Sequence, residues 1–206
     1  MLLIAAIALM GAASAHAGAD KDDTAEDAAK KEEFVKRLFA REVGKDKAYA
    51  CFARRYDPEH LARHPLQKVS AMKLLLTAET GPEAEAPSYS FRLGVHYRNK
   101  RGAYDSSGDC RHGTISAQTN NEARFHCYVD CDGGGIDIGL SKDYKSTLIR
   151  LESIRVWRDN KPDEEASDAL VAGADDKIFR LDRTDLEECR SLVTDREELA
   201  EMRRKR

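Results

Sequence analysis

Residues 89–97 read YSFRLGVHY and place an apolar or aromatic side chain at every second position, from Tyr89 to Tyr97. A period of two is typical of a β-strand that buries one face and exposes the other. This is the clearest strand pattern in the chain, and the fold prediction extends outward from it.

Two shorter alternations further along the chain predict a β-hairpin. Their core-facing positions are Phe125, Cys127, Val129 and Cys131 in the first run and Ile136, Ile138 and Leu140 in the second. Between the runs, residues 132–135 read DGGG, a composition typical of a turn. The alternation also predicts that His126 points away from the face that carries Cys127.

Further strands are predicted over residues 69–77, 113–117, 146–151, 154–158 and 177–181, separated by clusters of Gly, Asp, Asn, Ser and Pro. Together with the strand at 89–97 and the hairpin, about eight strands are predicted, and no helical patterns alternate with them. The sequence therefore predicts a mainly β fold with an antiparallel barrel-like or sandwich body.

Helical patterns flank this body on both sides. Val35, Leu38 and Phe39 fall on one face of a predicted amphipathic helix in the N-terminal arm. Asp57 and Pro65 are placed to begin and end a short second helix. A capping-box pattern at residues 184–187 predicts a charged C-terminal helix, and residues 159–176 are expected to form a surface loop.

The first 17 residues have the pattern of a signal peptide. Residues 2–10 form an uninterrupted apolar run, and the small-x-small sequence at residues 15–17 suits a signal peptidase. The run is shorter than the roughly 20 apolar residues of a membrane helix. We therefore expect cleavage before Gly18 and a soluble protein in the periplasm or outside the cell.

The same patterns predict four regions. These are a signal peptide at 1–17, a polar leader with the amphipathic helix at 18–48, a single disulfide-containing β domain at 49–189 and a charged helical tail at 190–206. The 34 basic and 37 acidic side chains nearly cancel. Without a global positive field, nucleic acid is not expected as a partner.

All five cysteines lie beyond the predicted cleavage site, at Cys51, Cys110, Cys127, Cys131 and Cys189. In an oxidising compartment they can form two bridges and leave one thiol. Four residues of extended strand span about 13 Å, beyond the roughly 7 Å reach of a disulfide, so Cys127 and Cys131 should not pair with each other. A bridge from Cys110 to either of them is expected first. A bridge between Cys51 and Cys189 would close a long loop, and the pairing stays open.

The segment HCYVDCDGGGID concentrates functional residue types and is the first candidate for a binding site. Its candidate binding residues are Asp130, Asp132, Gly133, Gly134, Gly135 and Asp137. Carboxylates around glycines are typical of calcium loops, but the EF-hand pattern needs an oxygen ligand at position five and a carboxylate at position twelve, and counted from Asp130 these are Gly134 and Ser141. A hairpin turn with glycines at positive φ and solvated aspartates is the simpler interpretation.

Three histidines are candidate metal ligands. His60 and His64 are spaced to share one helical face, and His126 lies beside two cysteines. Pro65 weakens the first pattern, and strand alternation opposes the second. No cofactor is predicted, and a divalent metal is retained as an alternative.

Catalytic motifs are absent from the sequence. It has no Gly-x-Ser-x-Gly elbow, no His-Glu-x-x-His and no glycine-rich phosphate loop. The first hypothesis is therefore a noncatalytic secreted protein that binds a small molecule, an envelope component or a protein through the loops around residues 133–135. An internal apolar cavity would favour a small ligand, and a filled interior would favour protein contact or a structural role.

Two other classes of function remain as hypotheses. One is a metal-binding protein or metal-dependent enzyme, which would lose its metal when Asp132 or His60 is changed to Ala. The other is an inhibitor of an envelope hydrolase, which would present one rigid exposed loop.

Overall fold

The computed structural model describes residues 24–158, 161 and 168–205. The predicted signal peptide lies outside these residues. The helices are α1 Ala25–Phe39, α2 Pro58–Arg63 and α3 Arg196–Arg204, with 3₁₀ helices at Ala117–Thr119 and Leu186–Leu192. The strands are β1 Ala48–Arg55, β2 Val69–Glu79, β3 Ser88–Tyr97, β4 Tyr104–His112, β5 Phe125–Tyr128, β6 Gly134–Leu140, β7 Ser146–Arg158, β8 Asp168–Val171 and β9 Ile178–Thr184.

The nine strands form one antiparallel sheet that closes into a ring, which confirms the predicted fold class. Its order is β6-β5-β4-β3-β2-β1-β9-β7-β8, and β6 also pairs with β7. Beyond the end of the short β5–β6 hairpin, the last residues of β7 pair directly with the first residues of β4. The hairpin therefore lies between β4 and β7 in the sheet.

Apolar side chains fill the interior of the ring. Phe52, Phe91, Phe125 and Phe179 are at most 2% exposed and belong to one continuous core. The alternating apolar positions of residues 89–97 all pack in or against this core. The strand predicted from the alternation over residues 89–97 is confirmed.

Helix α1 packs its apolar face into one end of the ring. Phe34 meets Phe125 edge to face with ring centroids 5.1 Å apart, and Phe39 stacks on Tyr89 at 6.4 Å. Arg183 of β9 donates hydrogen bonds to main-chain carbonyls in the last turn of the helix. The helix begins at Ala25, well before its buried face, because Thr24 caps its N-terminus.

The second 3₁₀ helix and α3 cover part of the outer face of β1 and β2. A small apolar cluster there includes Leu75, Leu192 and Met202, together with the Cys51–Cys189 disulfide. Arg92 and Glu198 form a bidentate salt bridge there, with N–O distances of 3.0 and 2.9 Å. None of the helices within the described ranges has the length and apolar character that crossing a bilayer requires.

Several predicted elements differ from the structure. Residues 113–117 form no strand, since β4 ends at His112 and a 3₁₀ helix follows. The two strands predicted between residues 146 and 158 are one continuous strand. The predicted loop at 159–176 contains β8, and the C-terminal helix is broken into a 3₁₀ helix and α3.

Candidate functional site

His126 and Asp137 stand directly opposite each other on the outer face of the β5–β6 hairpin. His126 Nδ1 lies 2.9 Å from Asp137 Oδ1. Because an ionised carboxylate only accepts, the imidazole donates this hydrogen bond. Arg124 Nη1 lies 3.8 Å from the other carboxylate oxygen. Since Cys127 is fully buried and the His126 side chain is 42% exposed, the predicted orientation of His126 is confirmed.

The sheet register extends this pair into a row of outward-facing side chains on four strands. Arg111 of β4 pairs with His126, and Asp137 pairs with Arg150 of β7. Directly opposed positions in a sheet lie about 5 Å apart, so groups of different charge follow one another across the row. Arg150 is exposed, and its side chain makes no hydrogen bond or ion pair within the described part of the chain.

A tight turn over residues 130–133 joins β5 to β6, two residues earlier than predicted. Gly133 N donates to Asp130 O over 3.3 Å. Cys131 and Asp132 have φ angles of 56° and 59°, the two positive values of a type I′ turn. Cys131 is consequently exposed rather than core-facing, because the strand ends at Tyr128.

The three glycines at and just after the end of the turn are required mainly by close packing. A Cβ on Gly134 would lie 2.1 Å from Ser153 O, and a Cβ on Gly135 would lie 2.4 Å from Cys127 O. Of the three, Gly134 alone has a positive φ, of 72°. The expectation that glycines supply the positive φ angles is met at Gly134 alone, because Cys131 and Asp132 supply the two of the turn itself.

The turn and the neighbouring residues of β5 and β6 line one open depression of about 670 Å³ on the outside of the ring. It contains five of the six candidate binding positions together with His126, and residues of β7 complete it. The lining residues are His126, Tyr128, Val129, Asp130, Cys131, Asp132, Gly134, Gly135, Ile136, Asp137, Arg150, Glu152 and Ser153. The remaining candidate, Gly133, is buried and does not line it.

The depression offers charges of both signs and one half-buried aromatic ring. Asp130, Asp132 and Glu152 lie near the turn, whereas His126 and Arg150 lie farther along the strands. Carboxylates accept hydrogen bonds, and guanidinium and imidazole groups donate them. This arrangement can bind a polar partner, and it contains no nucleophile joined to a base by a hydrogen bond within the described residues.

His60 and His64 lie together, but they do not converge on a metal site. Their rings stack with centroids 4.4 Å apart. His60 Nε2 donates to Gln67 Oε1 over 3.0 Å, and His64 Nδ1 lies 3.9 Å from Asp175 Oδ1. Burial raises the pKa of the neighbouring Tyr56 to about 12. Among the described residues, no three His, Cys, Asp or Glu side chains are grouped to hold a metal ion.

Four cysteines form two disulfides, Cys51–Cys189 and Cys110–Cys127. The second joins residues directly opposite each other on β4 and β5, which resolves the alternative that the sequence left open. Cys131 remains a free, exposed thiol at the edge of the depression.

Sequence reasoning missed the residues that β7 contributes, chiefly Arg150 and Glu152. Both occupy outward positions of an alternating strand, so the sequence pattern alone predicts that their side chains point outward. Their position beside Asp137 depends on the β6–β7 register, which includes an irregularity after Gly135. The strand patterns alone do not show that these two strands pair across the turn at residues 141–146, so the sequence did not predict this neighbourhood.

Comparisons with known proteins give no relative. No family model matches this chain, and neither a curated protein nor a solved structure matches it.

Proposed function

We propose that this chain is an exported, noncatalytic binding protein that recognises a polar envelope component or a protein partner. Its site is the outer depression along β5, β6 and β7. The observation that carries the proposal is the contrast between a ring interior filled by apolar side chains and an outer depression where the candidate residues of segment 126–137 meet Arg150 and Glu152 of β7.

The chemistry of the depression fits a polar macromolecule better than an apolar small molecule. Arg150 and Glu152 are both exposed on the same face of β7, and neither side chain has an ion-pair partner among the described residues. Tyr128 of β5 adds a half-buried ring to the same depression. Tyrosine and arginine are the residue types most enriched where protein surfaces bind partners.

Export is part of this proposal. The apolar run and small-x-small site at residues 2–17 favour it. Two disulfides are typical of proteins that fold in oxidising compartments such as the periplasm or the extracellular space. A mature protein in either place would meet envelope components.

A charge swap tests the proposed site. Arg150→Glu with Glu152→Arg keeps the net charge and reverses the local pattern, and Arg101→Glu with Glu85→Arg is the matched control in exposed loops. Each protein is cross-linked with formaldehyde in the cells that make it and then purified. We expect a discrete complex with the wild type and the control that is lost in the Arg150/Glu152 variant. Equal recovery from all three proteins would contradict the proposed site.

A further inference from the structure

Strand β7 contains a β-bulge where it lines the outer depression. Gly135 of β6 lies opposite Ser153 and Ile136 lies opposite Leu151, so Glu152 is an extra residue on β7. The alternation of inward and outward side chains also breaks there, because Glu152 and Ser153 both line the depression. Bulges of this kind redirect a side chain and are common beside active sites.

Two free charges of opposite sign lie on the outer face of β7 at this bulge. Arg150 and Glu152 are both exposed, and neither side chain makes a hydrogen bond or an ion pair with another described residue. Asp137, in contrast, accepts a hydrogen bond from His126 and lies near Arg124. The two charges of β7 are therefore available to a bound molecule.

The separation of these two charges matches the geometry of an extended polypeptide. Two residues of strand span about 6.5 to 7 Å. In any extended chain the side chains of residues i and i+2 point to the same side. A segment that lies along the outer face of β7 would therefore present two of its own side chains to Arg150 and Glu152.

From this match we propose that the outer depression binds an extended protein segment that carries an acidic and a basic side chain two positions apart. The acidic side chain pairs with Arg150, whose guanidinium can hold a carboxylate through two parallel hydrogen bonds. The basic side chain pairs with Glu152, and the exposed Asp130 and Asp132 add negative charge near the turn. The inference rests on the proposed function, because it names the chemistry of the partner at that same site.

The mixed charges of the depression disfavour other occupants. A nucleic acid or an anionic lipid surface would be attracted by Arg150 but repelled by Asp130, Asp132 and Glu152. A free amino acid carries its two charges on one carbon atom and cannot reach both Arg150 and Glu152. A second copy of this chain would also present opposite charges from its own β7, so self-association is one outcome of the test.

Four synthetic heptapeptides built on threonine, which favours an extended backbone, test the charge pattern. The first carries Asp and Lys two positions apart, and the second carries them at adjacent positions. The third and fourth carry two Asp or two Lys at the spaced positions. Each peptide is titrated against the isotope-labelled protein, and binding is measured from the NMR shifts of the amides of residues 150–153. We expect the wild type to bind the first peptide about 3- to 10-fold more tightly than the others, because each exposed ion pair contributes modestly.

Single charge reversals should change this preference. Arg150→Glu should favour the peptide with two Lys, and Glu152→Arg should favour the peptide with two Asp. Arg101→Glu and Glu85→Arg make the same changes of net charge in exposed loops. These two control variants should keep the wild-type order of affinities.

The same order of affinities in all five proteins, or equal affinity of the wild type for the four peptides, would overturn the proposal. Self-association of the wild type that Arg150→Glu abolishes, measured by sedimentation velocity, would also overturn it and assign this face to a second copy. If the peptides show no preference but the paired swap of Arg150 and Glu152 still abolishes the complex cross-linked in cells, the proposed site stands without this partner chemistry. If that complex also survives the paired swap, the proposed site fails as well.

Discussion

Gly134 illustrates how individual residues determine the path of the chain beside the candidate site. Its φ of 72° lies in the region that side chains disfavour. A Cβ there would also press against Ser153 O at 2.1 Å. The residue therefore lets β6 approach β7 closely enough for Arg150 and Asp137 to become neighbours.

Gly134→Ala should lower the free energy of unfolding by about 2 kcal/mol or more, because it adds left-handed strain to a backbone clash. Gly139→Ala is the matched control, since a Cβ at that position meets nothing within 4 Å, and its effect should stay within about 1 kcal/mol. Urea denaturation of the three proteins measures both values. Equal stability of the two variants would show that the close approach is not required.

Asp182 links three strands of the ring through its carboxylate. Arg54 Nη1 donates to Oδ2 over 2.7 Å, and Ser146 Oγ donates to Oδ1 over 2.9 Å. Partial burial by itself would raise the pKa of Asp182, but these hydrogen bonds and the arginine charges hold it below its ordinary value.

Because the folded protein has the lower pKa, the contribution of Asp182 to stability is complete above the unfolded value of about 3.9 and disappears as pH falls through the folded value. Asp182→Asn should therefore be less stable than the wild type at pH 7, and the gap should shrink below about pH 4. Urea unfolding across this pH range measures the gap, with Glu85→Gln as an exposed control. A gap that does not depend on pH would contradict this assignment.

Some of these residue-level features could be predicted from sequence and others could not. Alternation alone placed His126 on the outer face, because side-chain direction in a strand follows from position. Cys131 was misplaced because the strand ends at Tyr128 and a type I′ turn takes over. The usual Asn-Gly sequence of that turn is replaced here by Cys-Asp, so its local pattern was not recognisable.

At the level of elements, β1 shows why a buried strand can escape detection. Its first five residues are all buried, since the core covers one face and the apolar cluster at Cys51 and Cys189 covers the other. A strand covered on both faces shows no alternation of apolar and polar residues in its sequence. Strand β3 leaves one face partly exposed over much of its length, so its alternation predicts a strand directly.

The two disulfides should differ in what they contribute to stability. Cys51–Cys189 spans 138 residues of sequence and Cys110–Cys127 spans 17. Chain entropy then predicts a loss of about 4 to 5 kcal/mol when the long link is removed and about 3 kcal/mol for the short one. Unfolding of the two paired Cys→Ala variants tests the order, and a larger loss from the short link would contradict it.

For the whole molecule, closure of the ring depends on pairings between distant parts of the chain. β1 pairs with β9, and β4 pairs with β7. Composition and local pattern predicted the antiparallel β class, but these pairings are set by the fit of many side chains at once. The convergence of Asp137 with Arg150 comes instead from the hairpin of the consecutive strands β6 and β7.

A filled interior predicts that the wild type has no room for an apolar ligand. Phe179 is 2% exposed within the core, so Phe179→Ala should lower the free energy of unfolding by about 3 to 5 kcal/mol and open a cavity. Xenon should then bind the variant and not the wild type, as judged by ¹²⁹Xe NMR. Xenon binding to the wild-type interior would contradict the packing described above.

We propose that this protein recognises a macromolecular partner on its outer surface. Native mass spectrometry of protein purified from the cells that make it tests this most directly, together with denaturing measurements before and after thiol alkylation. We predict two disulfides, one alkylated thiol at Cys131 and no retained small molecule, with any bound species being a macromolecule. A stoichiometric apolar molecule or metal ion retained by the wild type would contradict the account.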